Sequence, residues 1–192
     1  MIYLASKSPR RRELLAGLDI KFEVKVIPGI DESYPADTPA DDVALYIAQK
    51  KAEGHRCIID DDEEAIVITA DTVVVLEEKV LGKPKDAAEA FAMLRALSGK
   101  RHHVITGVCI TSASRQSSFK VSSEVEFAEL SDSEISYYIE RYRPFDKAGA
   151  YGIQEWIGFV GVRSINGSYF NVMGLPIQRL YAELKGYLGN PD

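Results

Sequence analysis

The segment from Ala65 to Leu76 constrains the fold more than any other. Ala65-Ile66-Val67-Ile68-Thr69-Ala70 is apolar and β-branched, Asp71-Thr72 interrupts it, and Val73-Val74-Val75-Leu76 resumes it before a Glu77-Glu78-Lys79 turn. A strand apolar on both faces must be covered on both faces, so this is a central strand, and the polar pair predicts a break at or near Asp71. Open α/β sheets place ligands at the C-terminal edge of such strands, where a carboxylate can hold a hard cation or activate water. A capping or turn role for Asp71 fits the same position.

The flanking segments supply a mixed set of elements. Ile2 to Ala5 reads as a second buried strand, and Ser8 caps the helix that follows, with Pro9 at its first position and Gly17 at its stop. Phe22, Val24 and Val26 alternate as in a half-exposed strand, and a Pro- and Asp-rich loop from Pro28 to Pro39 carries Asp31 and Glu32. Thr38-Pro39 opens a helix with Ala44, Ile47, Ala48 and Lys51 on its inward face and Lys50 on its solvent side. The acidic run Asp60 to Glu64 reads as a solvated connector. Asp86 caps a helix that buries Ala90, Met93, Leu94 and Leu97, and Ser98-Gly99 closes it. His103 to Thr111 and Phe119 to Phe127 read as strands, and the Ser131-x-x-Glu134 capping box opens a helix with Ile135, Tyr138, Ile139 and Tyr142 inward. Ile157 to Arg163 reads as a strand and Pro176 to Leu188 as a last helix. This order predicts an α/β fold with a mixed sheet over residues 1–192, as one domain in which two lobes with a cleft also fit.

Composition excludes several classes of function. With 46% hydrophobic and 27% charged residues in 192, the chain is expected to fold as a globular protein. A net charge of -6 argues against a nucleic-acid coat, since backbone binding needs a broad positive excess, although a local basic pocket is allowed. Cys57 and Cys109 have no ligand or pairing spacing, so neither a disulfide framework nor structural zinc is expected. His55, His102 and His103 lack metal spacing as well, and His102 reads as structural. No apolar run reaches membrane-helix length and the N-terminal segment is unlike a signal peptide, so a cytoplasmic protein without membrane partners is expected. No GxGxxG, GxxxxGK[ST] or GxSxG pattern occurs.

Chemistry-bearing residues cluster in a few stretches. Ser6, Lys7, Ser8, Arg10 and Arg11 surround a helix N-terminus, whose exposed N-H groups and dipole suit a phosphate, although three arginines also make an ordinary solvated face. Lys51 sits on an apolar helix face, where a snorkelling stem is the alternative. Gly82-Lys83-Pro84 puts a lysine in a rigid turn, and Asp146-Lys147-Ala148-Gly149-Ala150-Tyr151-Gly152-Ile153-Gln154 has three glycines that let the backbone approach a ligand.

These stretches, together with Lys51-Ala52, Ala70-Asp71-Thr72-Val73-Val74, Leu97-Ser98-Gly99-x-x-His102 and Gly167-Ser168-Tyr169-x-Asn171, resemble the Maf family of nucleoside triphosphate pyrophosphatases, also called septum-formation-inhibitor-like proteins. The motifs run in family order from Leu4 to Pro176. The resemblance implies an elongated mixed sheet flanked by helices, with two lobes and a central cleft, as in inosine triphosphate pyrophosphatases. It implies metal-dependent cleavage of a nucleoside triphosphate to monophosphate and pyrophosphate, with Mg2+ or Mn2+ as cofactor. Asp71 is then the proton acceptor and a metal ligand, Glu32 its helper in metal binding, and Ser8, Arg11, Lys51 and Lys83 the phosphate-holding set. Arg10, Thr72 and Gln154 match the subgroup acting on dTTP and UTP, where a glutamine offers a uracil or thymine edge both a donor and an acceptor. Modified pyrimidine nucleotides are an extension of that substrate class, and a homodimer is left open. The family's older name points to a competing reading, a nucleotide-binding regulator of cell division with little turnover.

Overall fold

The computed structural model describes residues 1–188. Its strands are β1 (Ile2–Leu4), β2 (Phe22–Val24), β3 (Ile66–Leu76), β4 (Lys79–Leu81), β5 (Arg101–Thr111), β6 (Gln116–Phe127) and β7 (Val162–Asn166). The helices are α1 (Pro9–Ala16), α2 (Val43–Gly54), α3 (Cys57–Asp61), α4 (Ala87–Leu97), α5 (Asp132–Tyr142), α6 (Trp156–Gly161), α7 (Tyr169–Met173) and α8 (Ile177–Leu188). The strands form one mixed seven-stranded sheet of order β2-β1-β3-β5-β6-β7, with β4 hairpinned onto β3. β1 runs parallel to β2 and β3, while β4 and β7 pair antiparallel to β3 and β6.

Residue contacts divide the chain into two compact units. The first comprises residues 1–71, 106–121 and 174–188 of the described chain, the second residues 72–105 and 122–173. In the first unit, α2 buries Val43, Ala44, Ile47, Ala48 and Ala52, and a smaller cluster joins Ala5, Ile58, Ile59, Ala65 and Val67. Gly107 on β5 lets α2 lie directly on the sheet, since a Cβ there would fall 2.4 Å from the Leu45 Cα. In the second unit, Ala90, Leu94 and Leu97 of α4 and Ile135, Tyr138 and Ile139 of α5 cover Val104, Val125 and Phe127. His102 is buried there with its Nε2 2.7 Å from the Tyr151 hydroxyl, the structural role expected for it.

Local capping signals hold. Ser8 and Asp86 accept from backbone N-H groups three residues on, and the Ser131–Glu134 capping box is complete.

Several elements differ from expectation. β3 is not broken at Asp71 but runs continuously from Ile66 to Leu76. Asp71 is tolerated inside the strand because a long-range partner, Lys51, meets its carboxylate. The strand expected over Ile157 to Arg163 is instead α6 followed by β7. Only Ile157 and Gly161 of α6 are buried, the i, i+4 spacing of a helix, and Phe159 and Val160 face solvent. Ile58 and Ile59 draw the chain into α3, so the acidic run begins inside a helix. β2 ends at Val24, which is exposed, because the strand has only β1 beside it.

Candidate active site

The first unit gathers most of the expected site residues. β1 stops at Leu4, and Ala5 N-H donates to the Ile68 carbonyl at 2.9 Å. Carbonyls two residues apart on a strand point the same way, so the Ala70 carbonyl faces the side from which β1 has departed. Arg11 fills that place: its Nη1 donates to Ala70 O at 2.7 Å and its Nε to Gly174 O at 2.8 Å. The guanidinium therefore secures the strand at the residue before Asp71. Burial lowers the Arg11 pKa, and the neighbouring Asp71 charge pushes it back up.

Asp71 is met from the opposite side of the sequence by α2. Thr69, two residues earlier and on the same strand face, donates its hydroxyl to Ala48 O at 2.7 Å. Three residues along α2, Lys51 Nζ reaches Asp71 Oδ1 at 2.7 Å and lies 3.3 Å from Glu32 Oε2. The lysine and aspartate side chains are 13% and 15% exposed, against 53% for Glu32. An ammonium lies between two carboxylates, one fixed in a strand and the other on a loop.

That loop is itself tethered. Asp31 accepts from Ser33 N-H at 2.9 Å and from the Ser33 hydroxyl at 2.6 Å, a turn that brackets Glu32. Lys50, expected to be idle on the solvent side, instead donates to Asp31 Oδ2 and to Ser33 O, each at 2.8 Å. These bonds hold the Asp31 carboxyl well below the usual carboxylate range. At the loop's start, Ile27 N-H donates to His55 Nε2 at 3.1 Å while His55 Nδ1 donates to Lys51 O at 2.6 Å. Only the neutral ring can do both, and burial lowers its pKa accordingly. His55 carried no signal in the sequence beyond its proximity to Lys51.

The helix N-terminus is built as expected. Ser8 Oγ accepts from Arg11 N-H, and Ser6 Oγ accepts from Ser8 N-H at 3.2 Å. Ser6, Lys7, Ser8, Pro9, Arg12 and Val24 help line a cavity of about 340 Å³. Arg10, also at this end, is half-buried and adds to the positive field on Arg11.

The second unit holds Thr72, Lys83 and Gln154. Thr72 follows Asp71 on β3 and is half-buried; Lys83 is exposed in the turn after β4. Gly149 N-H donates to Gly82 O at 3.0 Å, which brings the Gly82-Lys83-Pro84 turn against the Asp146–Gln154 stretch. Gln154 is half-buried, and its Oε1 is sealed from solvent with no hydrogen-bond partner among the described residues. A buried amide oxygen is costly unless water or a ligand supplies a donor.

Comparison with known proteins fits this construction. The family described as Maf-like protein matches residues 1–187. The chain belongs to the Maf family. A protein of Phocaeicola vulgatus named dTTP/UTP pyrophosphatase is 61% identical over 184 residues, covering 96% of this chain and 94% of its own. Proteins of the same name from Bacteroides thetaiotaomicron and Christiangramia forsetii are 55% identical over 184 residues and 46% over 189, each covering at least 94% of both chains. The Maf motif Gly167-Ser168-Tyr169-x-Asn171 has a structural part. Ser168 N-H donates to Ser123 Oγ at 3.1 Å, and the buried Asn171 amide donates to Val104 O and Ser123 Oγ, both at 3.0 Å, pinning α7 to the sheet.

Two carboxylates suit a hard divalent ion. Mg2+ typically takes one or two carboxylates and completes its shell with water and substrate phosphates, and Asp71 and Glu32 are two carboxylates that meet at Lys51. No group of three or more His, Cys, Asp or Glu suited to a metal occurs among the described residues. No helix among them is long and apolar enough to cross a membrane.

Proposed function

We propose that this chain hydrolyses dTTP and UTP to the nucleoside monophosphate and pyrophosphate, clearing these nucleotides in the cytoplasm. Membership of the Maf family and the names of its relatives support the reaction class and substrates. The observation that carries the mechanism is the Lys51 ammonium held between Asp71 and Glu32. A pure nucleotide binder has no need of a water-activating carboxylate, the role this reading gives Asp71.

In this reading water attacks the α-phosphorus, Asp71 accepts its proton, and the bond to the bridging oxygen breaks to release pyrophosphate. Lys51, Arg11 and Lys83 hold the phosphate oxygens and offset the charge that grows on the leaving group, aided by Ser8 at the N-terminus of α1. A divalent ion held by Asp71 and Glu32 would polarise the phosphate oxygens. Arg10, Thr72 and Gln154 select the base, with the unpartnered Gln154 Oε1 accepting the N3-H of uracil or thymine and its amide N-H donating to O4.

The test is a nucleotide panel with both products quantified. Release of monophosphate and pyrophosphate from dTTP and UTP, well above GTP and CTP, is expected. Stoichiometric binding without turnover would instead favour the regulatory reading, and diphosphate with inorganic phosphate would place the attack elsewhere.

A further inference from the structure

The turn that carries Gln154 is held by residues that neither the base nor the phosphates need to touch. Tyr138, fully buried on α5, accepts from Gly152 N-H at 3.0 Å and donates its hydroxyl to Glu155 Oε2. One phenol thus grips the chain two residues before Gln154 and one residue after it. The other Glu155 oxygen lies 3.1 Å from Lys147 Nζ, and the Lys147 side chain is 9% exposed. This ion pair packs against residue 152: a Cβ there would fall 2.9 Å from Lys147 Cε and 3.1 Å from Glu155 Cδ. On the far side, a Cβ on Gly158 would fall 1.7 Å from the Ile153 carbonyl oxygen, so α6 presses on the same turn.

We propose that Tyr138, Glu155 and Lys147 are positioning residues that fix the Gly152–Gln154 turn and thereby set pyrimidine selectivity. The inference rests on the reading that Gln154 meets the base, and it deepens that reading. Gln154 Oε1 has no partner among the described residues, so the backbone on either side has to aim the amide. A recognition amide misplaced by a fraction of an ångström loses directional hydrogen bonds, whereas phosphate charges tolerate it. Burial and the Glu155 carboxylate raise the Tyr138 pKa, which keeps the phenol protonated as the donor. Glu155 therefore acts inward as a clamp on the turn.

Tyr138→Phe, Glu155→Gln and Lys147→Met are to be compared with wild type and Gln154→Ala for kcat and KM on dTTP, UTP and GTP. Tyr138→Phe removes both hydroxyl bonds to the turn and should raise KM for dTTP and UTP about tenfold, the scale of one hydrogen bond between Gln154 and the base, while leaving kcat within about threefold. The dTTP to GTP ratio of kcat/KM should fall by the same factor. Glu155→Gln and Lys147→Met each remove the ion pair while leaving an oxygen at residue 155 to accept from Tyr138, so each should lower the ratio by less than Tyr138→Phe. A purely structural role would lower the melting temperature with all substrates affected equally. If Gln154→Ala collapses the ratio while Tyr138→Phe and Lys147→Met leave it unchanged, this inference is wrong and the base-reading role of Gln154 survives. If wild type shows no preference for dTTP and UTP, or Gln154→Ala keeps it, the base reading itself has failed. Should Tyr138→Phe not fold, Lys147→Met and Glu155→Gln decide the matter by the same ratio.

Discussion

Replacing Lys51 with methionine keeps a stem of similar length on the α2 face and deletes only the charge between Asp71 and Glu32. The side chain is 13% exposed and its Nζ is 2.7 Å and 3.3 Å from the two carboxylates, so its field is poorly screened. A unit charge about 4 Å from an anion near a protein surface is worth about 4 kcal/mol before desolvation. Deleting one such preorganised contact to a transition state typically costs about 2–4 kcal/mol. kcat/KM for dTTP should therefore fall about 30- to 1,000-fold. Folding should be less affected, because Glu32 is 53% exposed and can turn to water, leaving only Asp71 without its partner. Lys50→Met is the paired control. Its Nζ touches Asp31 and the Ser33 carbonyl on the exposed loop, and surface pairs contribute little, so only a few-fold loss is expected through the Glu32 loop. Pyrophosphate release under kcat/KM conditions reads both variants. Equal effects at Lys50 and Lys51, or a Lys51→Met enzyme within about threefold of wild type, would refute the reasoning.

Three further outcomes follow from other parts of the structure. Gly107→Ala would push its Cβ to 2.4 Å from the Leu45 backbone; α2 must shift, so stability should drop by about 1–3 kcal/mol and kcat/KM with it, because Lys51 rides on that helix. His102 is buried neutral with its pKa lowered to about 4 from an ordinary 6.5, so the unfolded chain binds the extra proton between those values. Its contribution, about 3 kcal/mol, is present above pH 6.5 and lost as pH falls toward 4; urea unfolding of wild type and His102→Gln across that range should show the slope reduced in the variant, with His55 leaving a remainder of the same sign. Glu32→Gln should raise the Mg2+ or Mn2+ concentration for half-maximal turnover about tenfold or more, and a metal titration showing no change would remove Glu32 from the metal site.

The parts of this fold that are legible in the sequence obey local rules. Ser8, Asp86 and the Ser131–Glu134 box cap their helices because capping is settled within four residues. The Ile157-Gly158-Phe159-Val160-Gly161 run has no such signal: five apolar residues suit a strand or one helical turn equally, and the choice is made by Ile153 and the core. β3 looked interrupted for the same reason. What lets Asp71 stay inside it is Arg11, 59 residues away at the Ala70 carbonyl, and Lys51, 20 residues away. Lys51 itself could be read from the helical face it shares with Ala44, Ile47 and Ala48, but its carboxylate partners could not. The Tyr138–Glu155–Lys147 set was hidden further, since Tyr138 looked like any inward aromatic of α5. The one available signal was that a fully buried phenol needs a hydrogen-bond partner.

Asp71→Asn offers the most direct measurement, because it preserves size while removing the group that takes the proton. At saturating divalent ion and dTTP, pyrophosphate release should fall by about a thousandfold or more in kcat, with the cooperative melting transition retained and a non-hydrolysable dTTP analogue still bound. An Asp71→Asn enzyme that folds, binds the analogue and still turns over dTTP near the wild-type rate would contradict the assignment of Asp71 as the water-activating base.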